Sequence, residues 1–217
     1  MRQISHFHPS IYSKLQEFKF VLASSSPRRL SIVKDNLGLH NVLVIPSNFE
    51  ENLLKSENTV QEYVRKTSLM KAEFVSRDLR EQNRNEKYIV LSADTIIACN
   101  NKIFEKPLNK AKQREAFNQY KEHPKIQVIT SIVLTKIDEG RITVKQDFEI
   151  TNLVFDSDLS QDVIDAYIDC EEGLNVAGGF KFQNIGSLLF KSIEGDYFNV
   201  VGLPVRRTFH MLESLLK

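Results

Sequence analysis

The chain has 217 residues, with 29 Lys and Arg against 28 Asp and Glu, so its formal net charge is +1. That length suits one large domain or two small ones and buries about 70% of the unfolded surface, so no disulfide or metal staple is needed. The charge balance disfavours a protein that coats nucleic acid, no apolar stretch approaches the ~20 residues that span a bilayer, and the start MRQISHFHPSIYSKLQEFKF lacks the apolar core of a secretory signal. That start is poor in acids and carries some basic residues. An organelle-targeting reading therefore stays beside a plain N-terminal tail or short helix over residues 1–18. Cys99 and Cys170 are the only cysteines and lie far apart. Without an export signal they are expected as reduced thiols in a cytoplasmic compartment.

Phe20-Val21-Leu22-Ala23 predicts a short buried strand. Ser24-Ser25-Ser26-Pro27 follows, and hydroxyls that cap free amides ahead of a proline mark a helix start. A helical apolar pattern then runs from Leu30 to Leu37 and stops at Gly38. Val42 to Ile45 is a second strand, broken by Pro46. Thr59-Val60-Gln61-Glu62 has the form of a capping box. Val60, Tyr63, Val64, Thr67, Met70 and Phe74 follow at helical spacing and predict about five turns. Arg77 to Lys87 is charged and reads as a solvated helix end and loop.

Tyr88 to Leu91 and Ile96 to Cys99 bracket Ser92-Ala93-Asp94-Thr95, which makes a strand with polar residues in its middle. Asn100-Asn101 is a hairpin turn by composition. Asn109 is the cap expected for a helix from Lys110 to Lys121. Ile126 to Ile137 and Arg141 to Phe155 read as strands around Asp138-Glu139-Gly140. Leu159 to Ile168 reads as a short helix with Asp158 or Ser160 near its start. Six of the eight glycines lie from Gly173 to Gly202, so positive φ or close backbone approach is concentrated there. Pro204 opens an amphipathic helix to Leu216. Strands alternating with helices, with hairpins, predict a mixed α/β sheet. No linker divides residues 19–217, which read as a single domain.

Several segments carry candidate chemistry, each with a plainer reading beside it. Ser24 to Arg29 sets helix-start amides, hydroxyls and guanidinium groups together, which favours an anion such as phosphate. The plainer reading is a capped helix with surface arginines. It is not a P-loop, since the Gly-rich run is absent. Asp94 in an apolar strand is costly to bury unless it is paired or metal-bound, and general-base or metal work would justify the cost. The alternative is a carboxylate capping a turn. Lys106, held by Pro107, faces either a phosphate or solvent. Glu50-Glu51 is a carboxylate pair for a divalent cation or an ordinary acidic loop. Gln183 has the paired donor and acceptor that read a base edge, in a region that otherwise reads as turn chemistry.

Ala23 to Arg29, Ala93-Asp94-Thr95, Lys106-Pro107, and Glu194-Gly195-Asp196-Tyr197-Phe198-Asn199-Val200-Val201-Gly202-Leu203-Pro204 occur in this order. Together they resemble the Maf family of nucleoside triphosphate pyrophosphatases, from about Phe20 to Leu216. The resemblance implies a mixed-sheet α/β fold with flanking helices and two lobes around a deep cleft, similar to inosine triphosphate pyrophosphatases. It implies hydrolysis of a nucleoside triphosphate to monophosphate and pyrophosphate with Mg²⁺ or Mn²⁺, in the house-cleaning removal of unwanted nucleotides. By position, Asp94 resembles the proton acceptor. Arg28, Thr95 and Gln183 match the subgroup that acts on dTTP and UTP. Glu50, Lys71 and Lys106 match charged cleft positions. The implied roles are Asp94 for water or metal and Glu50 for metal. Arg28, Lys71 and Lys106 fall to phosphates, Ser24 and Ser26 to phosphate oxygens, and Gln183 to the pyrimidine.

The chain departs from that pattern at Glu105, Val176, Lys181, Asn184 and Glu122-His123-Pro124. Glu105 adds negative charge near a triphosphate. A catalytically weak nucleotide- or partner-binding protein in growth or division control is the alternative, although a pure binder has no need of a buried Asp94. Nucleic acid and membrane partners are not expected, and a homodimer is left open.

Overall fold

The structure, a computed structural model, describes residues 9–49, 53, 57–82 and 85–217. In chain order, helix α1 is Ser10–Leu15, strand β1 is Lys19–Leu22, and helix α2 is Pro27–Ser31, continued as a π-helical turn over Ile32–Asn36. Strand β2 is Val42–Val44, helix α3 is Val60–Gln82, strand β3 is Tyr88–Cys99 and strand β4 is Lys102–Phe104. Helix α4 is Lys110–Glu122, strands β5 and β6 are Lys125–Asp138 and Arg141–Phe155, and helix α5 is Gln161–Asp169. Strand β7 is Phe190–Glu194, helix α6 is Tyr197–Val201 and helix α7 is Val205–Leu215.

Local chemistry accounts for most of these boundaries. Ser26 caps α2, Asn109 caps α4 and Ser160 caps α5, each side chain accepting a backbone amide of the first turn. The capping box forms as read: the Thr59 amide donates to Glu62 at 2.8 Å, and the Glu62 amide donates to Thr59 Oγ1 at 3.2 Å. The Thr59 amide and then the Thr59 hydroxyl, both donating to the carboxylate, hold the Glu62 carboxyl below its usual range. Asn100 and Asn101 both take positive φ, 48° and 60°, as a tight hairpin between β3 and β4 requires.

The sheet is mixed. Strand order is β2-β1-β3-β5-β6-β7, with β4 also on β3. Strand β1 runs parallel to β2 and β3, and the remaining pairings are antiparallel. Strand β3 is the hinge of the design. One edge pairs with β5 from Tyr88 to Cys99. The other edge pairs with β1 only over Tyr88–Leu91 and with β4 only over Ile97–Cys99. Residues 92–96 therefore have no strand on that edge.

The same stretch divides the core. On one face of β3, Ile89, Leu91 and Ala93 join a cluster with α2 and α7, while Ile97 and Cys99 join another with α4 and α5. Thr95, paired with Thr130, stands between them. On the opposite face, Tyr88 and Val90 pack with Val75 and Leu79 of α3, while Ile96 and Ala98 pack with Tyr63 and Val64. Asp94, paired with Ser131, stands between those. A polar band thus crosses both faces where the edge is bare. Complete burial of a side chain such as Phe117 contributes about 1.5–3 kcal/mol, so the apolar clusters on either side hold the band in place.

One expectation changes, and one choice between two readings is decided. Helix α3 runs on through Gln82 rather than ending near Arg77, because Val75 and Leu79 continue its buried stripe against β1 and β3. The stretch before Phe18 contains α1, whose Ile11 and Leu15 enter the core. Tyr12 donates to the Leu37 carbonyl at 2.8 Å, and Lys14 donates to that of Leu216 at 2.9 Å. Among the described residues no helix is long and apolar enough to cross a membrane.

Gly178 links the fold to the cleft. It has φ +73°, its amide donates to the Glu105 carbonyl at 3.1 Å, and an added Cβ would lie 2.5 Å from Ile97 Cγ1. Left-handed backbone plus overpacking should make Gly178→Ala destabilising by about 3 kcal/mol in urea unfolding. A loss below about 1 kcal/mol would show that the Glu105–Lys106 loop does not depend on this contact.

Candidate active site

A cleft of about 610 Å³ opens at the bare edge of β3. Because no strand covers residues 92–96 there, side chains from both faces of β3 reach one space. The turn after β1 supplies Ser24 and Ser26, α2 supplies Arg28, and α3 supplies Lys71. Strand β3 supplies Asp94 and Thr95, the loop after β4 supplies Lys106, and the glycine-rich segment supplies Gln183. The structure brings all of these candidates to one cleft. Glu50 and Glu51 lie outside the described residues.

Asp94 is 7% exposed and sits in mid-strand, so it caps no turn. Its Oδ1 accepts from Lys71 Nζ at 2.7 Å. Tyr63, Thr67 and Lys71 recur every four residues along α3, which points one stripe of the helix at this part of the sheet. The lysine assigned to phosphate therefore also holds the carboxylate. Behind the pair, Ser68 donates to Ser131 Oγ at 2.8 Å, and Ser92 donates to the Ser68 carbonyl at 2.9 Å. The polar band is bonded internally, which removes much of the cost of burying it.

The sequence assigns Arg29 no separate role within the first motif, yet Arg29 is the clamp of the site. Its Nε donates to the Gly202 carbonyl at 2.9 Å, Nη1 to Ser24 Oγ at 3.2 Å, and Nη2 to Thr95 Oγ1 at 3.0 Å. One guanidinium thus ties the turn after β1, the middle of β3 and the end of α6. Thr95 Oγ1 also bonds Thr130 Oγ1 at 2.9 Å, so its hydroxyl is spent on protein groups. Ser24 Oγ accepts from both Arg29 and the Ser26 amide, which leaves its own proton as what it can offer an anion.

Other groups are left uncommitted. Arg28 Nε donates to the Val201 carbonyl at 3.3 Å, and among the described residues Arg28 has no carboxylate partner. Burial pulls its guanidinium below its ordinary value, yet an arginine stays charged. A desolvated cation of this kind favours an anionic ligand. Lys106 makes no ion pair, and the Gln183 amide makes no hydrogen bond, among the described residues. Lys181 and Glu105 also line the cleft, and the Tyr63 hydroxyl donates to Glu105 Oε1 at 3.3 Å. Arg28 and Arg29 are adjacent in the chain, and helical geometry turns neighbours about 100° apart. Which of them faces inward is not legible from the motif alone.

The donor set suits a hard cation. Asp94 offers carboxylate oxygens in a cleft also lined by Ser24, Ser26, Arg28 and Lys106. No cluster of three His, Cys, Asp or Glu occurs among the described residues. A carboxylate beside hydroxyls and cations able to hold phosphate is a donor set that Mg²⁺ or Mn²⁺ can share with a bound triphosphate.

The dTTP/UTP pyrophosphatase of Saccharomyces cerevisiae is 35% identical over 210 residues, covering 89% of this chain and 88% of that one. The dTTP/UTP pyrophosphatase of Schizosaccharomyces pombe is 36% identical over 222 residues, covering 98% and 91%. Among solved structures, a HAM1 protein from Coxiella burnetii aligns over 91% of this chain and 99% of that chain, at 10% identity and TM-score 0.47. The family described as Maf-like protein matches residues 19–215. That stretch runs from the first residue of β1 to the last of α7, through every described element that frames the cleft, and the chain belongs to the Maf-like family.

Proposed function

We propose that this chain hydrolyses dTTP and UTP, or modified pyrimidine triphosphates, between the α- and β-phosphates. The observation that carries the reading is the buried Asp94 at the bare edge of β3, in the same cleft as the uncommitted cations Arg28 and Lys106. The relatives named dTTP/UTP pyrophosphatase support it.

In this reading Asp94 accepts a proton from the water that attacks the α-phosphorus. The bond from that phosphorus to the bridging oxygen breaks, and pyrophosphate leaves with the electron pair. Lys71 fixes the Asp94 carboxylate. Arg28 and Lys106 neutralise the charge that builds on the leaving pyrophosphate, where preorganised cations lower a barrier most. The hydroxyls of Ser24 and Ser26 donate to phosphate oxygens. Gln183 offers an acceptor to the uracil or thymine N3–H and a donor to a ring carbonyl. Thr95 acts by position, holding Arg29. Asp94, with Glu50 as the second carboxylate, would hold a divalent cation that supplies further neutralisation of phosphate charge when bound.

Pyrophosphate release should be at least about tenfold faster from dTTP and UTP than from CTP, with Mg²⁺ or Mn²⁺ present. Chelation with EDTA should abolish it, and re-addition of metal should restore it. Absence of release from any triphosphate with either metal would overturn the hydrolytic reading.

A further inference from the structure

Gln183 is presented by a turn. The Asn184 amide donates to the Lys181 carbonyl at 3.2 Å, which places Phe182 and Gln183 at the two central positions. Both ends of this turn are pinned from behind, by residues outside the cleft lining. The Lys181 amide donates to the Tyr167 hydroxyl oxygen at 3.0 Å. The Asn184 side-chain amide donates to Glu172 Oε1 at 2.8 Å.

The Tyr167 anchor is itself held firmly. Tyr167 is 3% exposed, and its ring lies 5.9 Å from that of Phe117. Its helix α5 is tied to α4 through Asp165 with Arg114 and through Asp169 with Lys110. Burial raises the Tyr167 phenol far above its ordinary range, so its oxygen stays protonated and neutral. Gly186 lets the turn close on this oxygen: an added Cβ would lie 2.6 Å from the Lys181 carbonyl oxygen and 2.8 Å from the Tyr167 hydroxyl.

We propose that Tyr167 and Glu172 are positioning residues for base selection, holding the turn that presents Gln183 to a uracil or thymine ring. The inference rests on reading the cleft as a pyrimidine triphosphate site. Neither residue touches the base. Each acts by reducing the freedom of the turn, and so the loss on binding when Gln183 is immobilised.

The test is calorimetric titration with the non-hydrolysable α,β-methylene analogues of UTP and CTP. Tyr167→Phe removes only the hydroxyl and leaves the Lys181 amide without its acceptor. It should weaken the UTP analogue about tenfold and the CTP analogue less than about twofold. Asn184→Ala, at an exposed position, loosens the other end and should act in the same direction without threatening the fold. In a Gln183→Ala background, Tyr167→Phe should leave the UTP/CTP ratio unchanged within about twofold. A general packing role would instead weaken both analogues equally, and equal weakening or an unchanged ratio in both variants overturns the proposal. Selective binding of the UTP analogue, with no pyrophosphate release from UTP itself, would refute hydrolysis while the positioning role stands. No discrimination by the native chain would remove both the pyrimidine reading and this inference.

Discussion

Asp94→Asn is expected to lower pyrophosphate release from UTP by about 10³-fold, the scale on which a general base contributes. The substitution keeps the shape and removes the acceptor. An asparagine oxygen still accepts the Lys71 bond, so the cleft keeps its geometry and KM should move only a few-fold. What disappears is the group that takes the proton from water. The stability cost is separate. Lys71 and Asp94 have side chains only 12% and 10% exposed, and removing one charge leaves the other poorly compensated. Breaking a buried pair costs up to about 3–5 kcal/mol, and the retained hydrogen bond should hold the loss to about 2–3 kcal/mol. Circular dichroism should show a native spectrum under the assay conditions. Retention of more than about a tenth of the native turnover would remove Asp94 from the proton transfer and sink the proposed mechanism.

Arg29→Met should be the most destabilising single change at the cleft while leaving the substrate-facing cations chemically intact. It deletes the bonds to Gly202, Ser24 and Thr95 together. Hydrogen bonds from a charged donor contribute about 1.5–3 kcal/mol each, but they act on shared partners and will not add. A total near 3–4 kcal/mol follows. For a domain of this size that lowers the thermal midpoint by about 6–15 °C. Activity should fall as well, because Ser24 loses its orientation and the end of α6 is released from β3. Arg28→Met should behave differently, with KM for UTP raised and the melting temperature nearly unchanged, since Arg28 donates to one carbonyl only. If the two variants gave the same pair of effects, the division between a clamping and a substrate-facing arginine would be wrong.

Local signals were read well where a few neighbouring residues carry the free energy. The caps at Ser26, Thr59, Asn109 and Ser160 formed because a side-chain oxygen reaches an amide two or three residues on. The hairpin at Asn100-Asn101 formed because asparagine tolerates positive φ. The end of α3 is not legible locally because Val75 and Leu79 are separated by polar residues. Only their packing on β1 and β3 shows that the stripe continues. Helix α1 is undecided by local sequence for the same reason, as its partners Leu37 and Leu216 lie far along the chain.

The sequence by itself determined which residue types are available for chemistry: an acid in an apolar strand, a serine-arginine turn, a lysine before proline, an amide in a glycine-rich segment. It also determined, through family membership, the order in which they occur. Only the tertiary structure decided which polar groups are spent on the protein and which are left for a ligand. Arg29 and Thr95 are committed through partners as far as 173 residues away, while Arg28, Lys106 and Gln183 are not. The physical reason is that a guanidinium, hydroxyl or amide has the same chemistry at every position in a chain. Whether its donors are satisfied depends on contacts closed across the gap in the edge of β3, and those exist only once the separate cores on either side have packed.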